Sequence, residues 1–321
     1  MEVYNITIND IPDIKIDKKL SLALGYFDGV HKGHKKVIST CVEIAKSKNI
    51  SSAVMTLEPH PLKVLKPEKS IECITNIDQR IRYIEQLGVE YLIVLKFDIA
   101  ISELSPAEFM NKILKPLNAQ EIIAGFDYRF GRNGEGNMTT LTELGRGSFN
   151  VTTIDKVESE NIKISSTLIR KLICEGNVDK VEKYLEKKYK IIGKVIHGEK
   201  RGRSIGYPTA NILPNDNYVV PKTGVYIVKI VVNSITYNGV CNVGLRPTFH
   251  LNQLKPNIEV HILDFNEEIY GKYVEVIWYK KIRDEKKFNS INELILQLDI
   301  DSNIAKSYFQ KINSSRLDFL N

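Results

Sequence analysis

In the first half of the chain, short runs of consecutive apolar residues alternate with longer stretches where apolar residues recur every three or four positions. Leu22 to Phe27, Ala53 to Leu57, Tyr91 to Phe97 and Glu121 to Gly125 are the short runs, and they predict strands buried on both faces. The longer stretches, near His34 to Lys46, Gln79 to Leu87 and Pro106 to Leu114, predict helices. Ser105, Pro106 and Glu108 form a capping box with proline at the first helical position, which marks that helix start. Strands alternating with helices predict a parallel sheet, and such sheets bind ligands beyond the carboxyl ends of their strands.

From about Tyr189 the texture changes to strands and turns. Tyr226, Val228, Ile230 and Val232 alternate with Val225, Ile227, Lys229 and Val231, and Asn233-Ser234 offers a turn into Ile235 to Val240. Further strands are predicted at Ile258 to Phe265 and Tyr273 to Tyr279, followed by helices after a capping box from Ser290 to Glu293. The whole reads as a small β-barrel, so the predicted class is α/β plus all-β. The boundary falls in the Lys-rich stretch Tyr184 to Lys190, dividing the chain into residues 1–186 and 187–321. No internal repeat or low-complexity tract is visible.

A chain of 321 residues, 43% of them hydrophobic, can build a core in each of two domains. Met1 to Leu20 contains no apolar targeting core, and the apolar runs are too short to span a bilayer, so a soluble cytoplasmic protein with no membrane partner is expected. Cys41, Cys73, Cys174 and Cys241 form no Cys-x-x-Cys pair and read as buried, reduced thiols. The net charge of +6 fits either nucleic-acid binding or sites that receive polyanionic nucleotides. Basic runs such as Lys187-Lys188-Tyr189-Lys190 are short and poor in aromatic stacking platforms, so nucleic acid is not expected as a partner.

The sharpest motif of the first half is Gly25-Tyr26-Phe27-Asp28-Gly29-Val30-His31-Lys32-Gly33-His34, between a strand and a helix. Glycines there let backbone approach a phosphate, and a helix N-terminus adds oriented N–H donors. His31 and His34, three apart, can face one side of the first helical turn. Read alone, they could be cap residues or part of a zinc site, although no third Cys or His completes the latter. The motif resembles the His-x-Gly-His signature of the nucleotidyltransferase superfamily, in which a mononucleotide phosphate attacks the α-phosphate of ATP. That resemblance implies a Rossmann-like domain with nucleotide contacts at Gly25, Tyr26, Phe27, Asp28, Gly29 and Gly33 and catalytic roles for His31 and His34.

Downstream, Ile164-Ser165-Ser166-Thr167-Leu168-Ile169-Arg170 opens another amphipathic helix and resembles the second signature of that superfamily. Ser165, Ser166, Thr167 and Arg170 would then hold the β- and γ-phosphates. Gly125-Phe126-Asp127-Tyr128-Arg129-Phe130-Gly131 with Gly136-Asn137, and Glu58-Pro59-His60-Pro61, resemble the bacterial FAD synthetase module. The resemblance implies FMN as acceptor, held near Pro59 and His60. Without it, Asp127 is open between a turn residue and a ligand contact. Leu57-Glu58 departs from the Phe-Asp usual before this Pro-His-Pro.

In the second half, Gly193-Lys194-Val195 and His197-Gly198 precede Gly202-Arg203-Ser204-Ile205-Gly206-Tyr207-Pro208-Thr209-Ala210-Asn211. The spacing and the missing lysine exclude a P-loop. The segment resembles the Gly-x-Pro-Thr-Ala-Asn element of riboflavin kinases, as do Gly224-Val225-Tyr226, Asn242 to Phe249 and Ile258 to Phe265 with Tyr270-Gly271. The resemblance implies Thr209 and Asn211 as Mg²⁺ ligands, nucleotide contacts at Gly198, Arg203, Gly206 and Pro208, and Glu259 as general base toward riboflavin. Hard oxygen ligands suit Mg²⁺. Arg283 and Asp284 are open between a substrate clamp and surface charge.

Together these motifs run from about Leu22 to Phe288 in the order of the bifunctional bacterial riboflavin kinase/FAD synthetase family. Riboflavin, FMN, FAD and ATP would be substrates and products, Mg²⁺ the metal, and the chain a monomer or weak homo-oligomer. The rivals are an adenylyltransferase for another acceptor carrying an unrelated barrel, and a non-enzymatic flavin or nucleic-acid regulator. The latter would not need Glu259 and would bind oligonucleotides in a salt-dependent way.

Overall fold

The computed structural model describes residues 1–317 except 15, 17, 199–200 and 248–253, and excludes the side chains of 201, 203, 246, 247, 254, 255 and 315–317. Two compact units are present, Met1–Ser166 and Thr167–Asn321.

The first unit is built on strands β1 (Glu2–Ile6), β2 (Leu20–Leu24), β3 (Ser51–Glu58), β4 (Tyr91–Lys96), β5 (Ala119–Gly125) and β6 (Asn150–Ile154). They form one parallel sheet in the order β1-β4-β3-β2-β5-β6. A short antiparallel ribbon, β7 (Glu158–Ser159) and β8 (Ile162–Lys163), follows. The unbroken apolar runs are explained by cores on both faces of the sheet. Leu22, Leu24, Met55 and Ile93 pack in one cluster, whereas Ala23, Val54, Leu92 and Ile123 pack in another. The helix Lys32–Lys48 covers the second face with Val37, Ile38 and Cys41.

Two details depart from the sequence pattern. The run Leu22 to Phe27 leaves the strand after Leu24 because Phe27 adopts φ 57° and turns the chain. The helix from Pro106 continues as one π-helical turn, Met110–Leu114. Between β2 and β5 the strand order reverses direction, and sheets of this kind bind ligands beyond the carboxyl ends of the strands at such a switch point.

The second unit carries β9 (Lys190–Ile196), β10 (Ala210–Pro214), β11 (Gly224–Val232), β12 (Ile235–Pro247), β13 (Leu254–Ile262) and β14 (Tyr273–Arg283). They close into an antiparallel barrel, β10-β13-β12-β11-β14-β9, with β9 pairing back onto β10. Asn233 and Ser234 both have positive φ, the geometry of a two-residue hairpin turn between β11 and β12. Trp278, Tyr226 and Val260 are buried in its interior. One long helix, Ile291–Leu317, packs Ala305 and Phe309 against Val225, Ile227 and Val240. The helix Val178–Leu185 packs on β14 and buries Val178, Val181 and Leu185.

Cys41, Cys73 and Cys241 are buried, and burial pushes the Cys241 thiol well up. Cys174 is exposed, against the expectation for all four: it ends the helix Ser166–Cys174, where the apolar side is filled by Ile169 and Ile173. No described helix is long and apolar enough to cross a membrane.

Candidate active sites

Three of the sequence motifs leave the sheet at the carboxyl ends of adjacent strands. Gly25 to His34 follows β2, Glu58 to Pro61 follows β3, and Gly125 to Gly131 follows β5. Gly25 still donates its N–H to the Met55 carbonyl, and then Phe27 and Val30 adopt left-handed backbone conformations at φ 57° and 42°. Such conformations cost non-glycine residues about 1–3 kcal/mol and persist where the surroundings over-determine them. Here Phe27 is buried and stands edge-on to His34, with ring centroids 5.3 Å apart.

His31 is the N-cap of the Lys32–Lys48 helix, and its Nδ1 accepts from the His34 N–H at 3.3 Å. An accepting Nδ1 carries no proton, so the donor that the neutral ring can offer is Nε2–H. The two imidazoles stack at 3.6 Å and 17°. A Cβ on Gly33 would lie 3.2 Å from the His31 ring, so glycine there lets the helix start fit against it. Asp28 is buried and turns its carboxylate inward, accepting from the N–H groups of Ile74 and Thr75. Contact between Asp28 and a nucleotide is thereby left to its backbone. The Gly29 N–H donates to the Thr75 hydroxyl.

The second signature reaches the same loop. The Ser166 hydroxyl donates to the Asp28 carbonyl at 3.1 Å. Ser165 precedes it, while Thr167 and Arg170 continue the helix within the second unit, Thr167 exposed and Arg170 half-buried.

On the acceptor side, Glu58–Pro59 is a cis peptide, and His60 caps the short helix Pro61–Leu65 through Nδ1. The His60 ring meets Tyr26 edge-on at 4.3 Å. Behind them lies Arg80, which the sequence pattern did not single out. Arg80 is buried, its guanidinium lies 4.2 Å from the Tyr26 ring centroid, and it donates to Tyr26 Oη and Glu58 Oε2, both at 3.1 Å. It also donates to Thr56 Oγ1 and to the Leu57 carbonyl. Burial, partly offset by Arg80, raises the Tyr26 phenol. Asp127 is exposed and pairs with Lys163 at 2.7 Å, and the Lys163 ammonium lies over the Phe126 ring. Asn137 caps the helix Met138–Gly145.

In the barrel, strand register assembles the second site. Asn211 of β10 stands directly opposite Glu259 of β13, and Glu259 stands opposite Asn242 of β12. The flanking pairs, Ala210 with Val260 and Ile212 with Ile258, are buried, so alternation sends the polar row to the other face. Asn257 donates to Glu259 Oε1 at 2.6 Å.

Two cavities meet here. The larger, about 280 Å³, is lined by Thr209, Asn242, Glu259, His261 and Arg283 among others. The smaller, about 250 Å³, is lined by Gly198, Pro208, Thr209, Asn211 and Tyr270 among others. Thr209 belongs to both. Gly206 lines neither cavity, and the Arg203 side chain lies outside the described residues, as do Thr248 and Phe249. A Cβ on Gly198 would come within 2.2 Å of Asn211 Nδ2, so glycine leaves room for that amide.

Arg283 lines the larger cavity but is held from behind. Its guanidinium pairs with both carboxylate oxygens of the buried Asp301, the closest contact being 2.7 Å, and Gln297 also donates to Asp301. Removing the arginine would strand a buried carboxylate, a loss of about 3–5 kcal/mol. Asp301 was not visible as a site residue in the sequence pattern.

The family model for FAD synthetase matches residues 13–168, and that for riboflavin kinase matches residues 185–309. The bifunctional riboflavin kinase/FMN adenylyltransferase of Bacillus subtilis is 46% identical over 92% of this chain and 94% of its own length. The chain belongs to the bifunctional riboflavin kinase/FMN adenylyltransferase family. Its Escherichia coli relative of that description is 34% identical over 90% of this chain and 92% of its own length. A solved structure from Streptococcus pneumoniae, described as a macrolide-efflux protein, is also similar: TM-score 0.86 and 36% identity, covering 94% of this chain and 98% of that one. In family terms, the parallel-sheet unit holds the FAD synthetase match and the barrel holds the riboflavin kinase match.

Proposed function

We propose that the chain makes flavin cofactors in two successive ATP-consuming steps. The barrel transfers the γ-phosphoryl group of ATP to the 5′-hydroxyl of riboflavin, giving FMN and ADP. The sheet unit joins the adenylyl group of a second ATP to FMN, giving FAD and pyrophosphate. Both family matches and the names of the relatives support this pair of reactions.

The observation that carries the kinase assignment is the position of Thr209 in the wall of both cavities, with Asn211 in one and Glu259 in the other. A phosphate donor in the smaller cavity and a hydroxyl acceptor in the larger can meet beside Thr209. Glu259 then takes the proton of the attacking hydroxyl as general base. Mg²⁺ fits the oxygens at this place: Asn211 Oδ1 is buried with no hydrogen-bond partner among the described residues, and Thr209 adds a hydroxyl. When bound by these two residues, the ion would neutralise phosphate charge. Gly198 and Pro208 would lie against the nucleotide.

In the sheet unit the FMN phosphate itself is the nucleophile, so the protein's part is positioning and charge stabilisation. Nε2–H of His31 and the imidazole of His34 face the α-phosphoryl group at the helix start, with the backbone of residues 25–29 around it. Ser165, Ser166, Thr167 and Arg170 hold the departing phosphates, and Pro59, His60 and Asp127 lie toward the flavin. A domain division at 186/187, a cytoplasmic setting, no nucleic-acid partner, and a monomer or weak homo-oligomer complete the reading.

Incubating the purified chain with riboflavin, ATP and Mg²⁺ and separating the flavins by chromatography tests it. FMN should appear first and FAD after it, both abolished by a chelator. Absence of either flavin nucleotide overturns the corresponding half.

A further inference from the structure

β10 begins at Ala210, so the strand ladder that sets Asn211 opposite Glu259 stops one residue short of Thr209. Something outside the ladder must therefore fix Thr209 against the strand that carries Glu259. His261 is two residues beyond Glu259 on β13, on the same strand face, and lines the same cavity. Its Nδ1 lies 2.9 Å from the carbonyl oxygen of Pro208, the residue before Thr209. A carbonyl only accepts, so Nδ1 carries the proton and donates. Pro208 has no N–H, so its carbonyl is the backbone group by which that residue can be held. The Tyr207 ring packs against His261 at 5.2 Å, and its hydroxyl donates to Asp299 of the terminal helix. One imidazole thus ties together the strand of Glu259, the turn of Thr209 and, through Tyr207, the terminal helix.

We infer that His261 is a positioning residue for phosphoryl transfer, holding the Pro208 carbonyl so that Thr209 stays in register with Glu259. This rests on the assignment of Thr209 and Glu259 made above. The contact it makes to this end is with the Pro208 carbonyl, so it acts through the turn. The asparagine amide can reach the position of imidazole Nδ1, whereas a glutamine amide sits farther out and leucine has no donor. His261→Asn should therefore keep riboflavin phosphorylation near wild type, while His261→Gln and His261→Leu should lower kcat.

The test uses the full chain, with kcat and the riboflavin KM for FMN formation, FMN adenylylation as a control, and thermal unfolding of each variant. Misplacement of a catalytic group on the ångström scale predicts a ~10- to 100-fold loss of kcat in the Gln and Leu variants, larger than any change in riboflavin KM at this cavity wall, with adenylylation unchanged. Recovery by asparagine would distinguish positioning from general support of the fold. If the Leu variant does not fold, the Asn and Gln variants decide. Wild-type rates in the Gln variant, or equal losses in the Asn and Gln variants, overturn the inference. A parallel Glu259→Gln variant separates the two levels: if it keeps full kinase activity, the underlying site assignment fails. If it is inactive while the His261 variants behave as wild type, only the positioning role fails.

Discussion

The hydroxyl of Ser166 donates to the backbone carbonyl of Asp28 at 3.1 Å, across 138 positions of sequence. Within the first unit, this bond ties the start of the Ser166–Cys174 helix to the loop that leads into the Lys32–Lys48 helix. Ser166→Ala should cost about 1 kcal/mol of stability through the lost hydrogen bond. The larger expected effect is a raised KM for ATP in FAD formation with riboflavin phosphorylation unchanged. Pyrophosphate release measured against ATP concentration checks this, and an unaltered KM would sink it.

His31 has two separable roles, as N-cap acceptor through Nδ1 and as prospective donor through Nε2. His31→Ala removes both, losing ~1 kcal/mol of helix stability. His31→Asn keeps a good cap and removes the Nε2 donor together with the ring that stacks on His34. Both variants, and His34→Ala, should lower FMN adenylylation ~10²- to 10³-fold, as expected for losing a preorganised donor to a transferring group. Riboflavin phosphorylation should persist in all three, and a normal FAD yield in the asparagine variant would refute the donor role.

Glu259→Gln should retain the fold, because the amide oxygen can still accept the Asn257 hydrogen bond. It cannot take up a proton from the ribityl hydroxyl, and loss of a general base costs ~10²- to 10⁴-fold. Phosphoryl transfer is often loose, which favours the lower figure. Single-turnover FMN formation at saturating ATP and riboflavin is the measurement, and a rate within about threefold of wild type removes Glu259 from the mechanism.

Two truncations should behave differently. A fragment from Thr167 keeps the helix Val178–Leu185 on β14, whereas one from Lys187 lacks it. That helix buries Val178, Val181 and Leu185, each contributing up to ~1.5–3 kcal/mol. The longer fragment should be soluble and phosphorylate riboflavin, and the shorter one should melt at lower temperature in thermal unfolding. Equal stability of the two would show that the helix adds nothing to the barrel.

The motifs were readable because each needs unusual residues: glycines at a strand-to-helix turn, proline beside threonine, and paired histidines. The long strands β3, β4 and β11 were readable from their uninterrupted or alternating apolar residues. β1, β6 and β10 were not, since Glu2–Ile6 and Asn150–Ile154 are half-exposed edge strands and Ala210–Pro214 ends in proline. Arg80 lies in the helical stretch Gln79 to Leu87 and belongs to none of the motifs. Its burial depends on Tyr26, Thr56 and Glu58, which local pattern cannot bring together. Arg283, which the sequence leaves open between clamp and surface charge, lines a cavity and pairs with Asp301, 18 positions away on another element, a partner that local pattern does not show.

The two units differ in how their sheets end. The barrel closes β9 onto β10, whereas the parallel sheet stops at β1 and β6, each bonded on one side within that sheet. Unpaired edges are templates on which a second chain can add a strand. Self-association on heating or at high concentration should accordingly start in the adenylyltransferase half, and a lysine or proline placed on β6 is the substitution best suited to improve handling without touching either pocket.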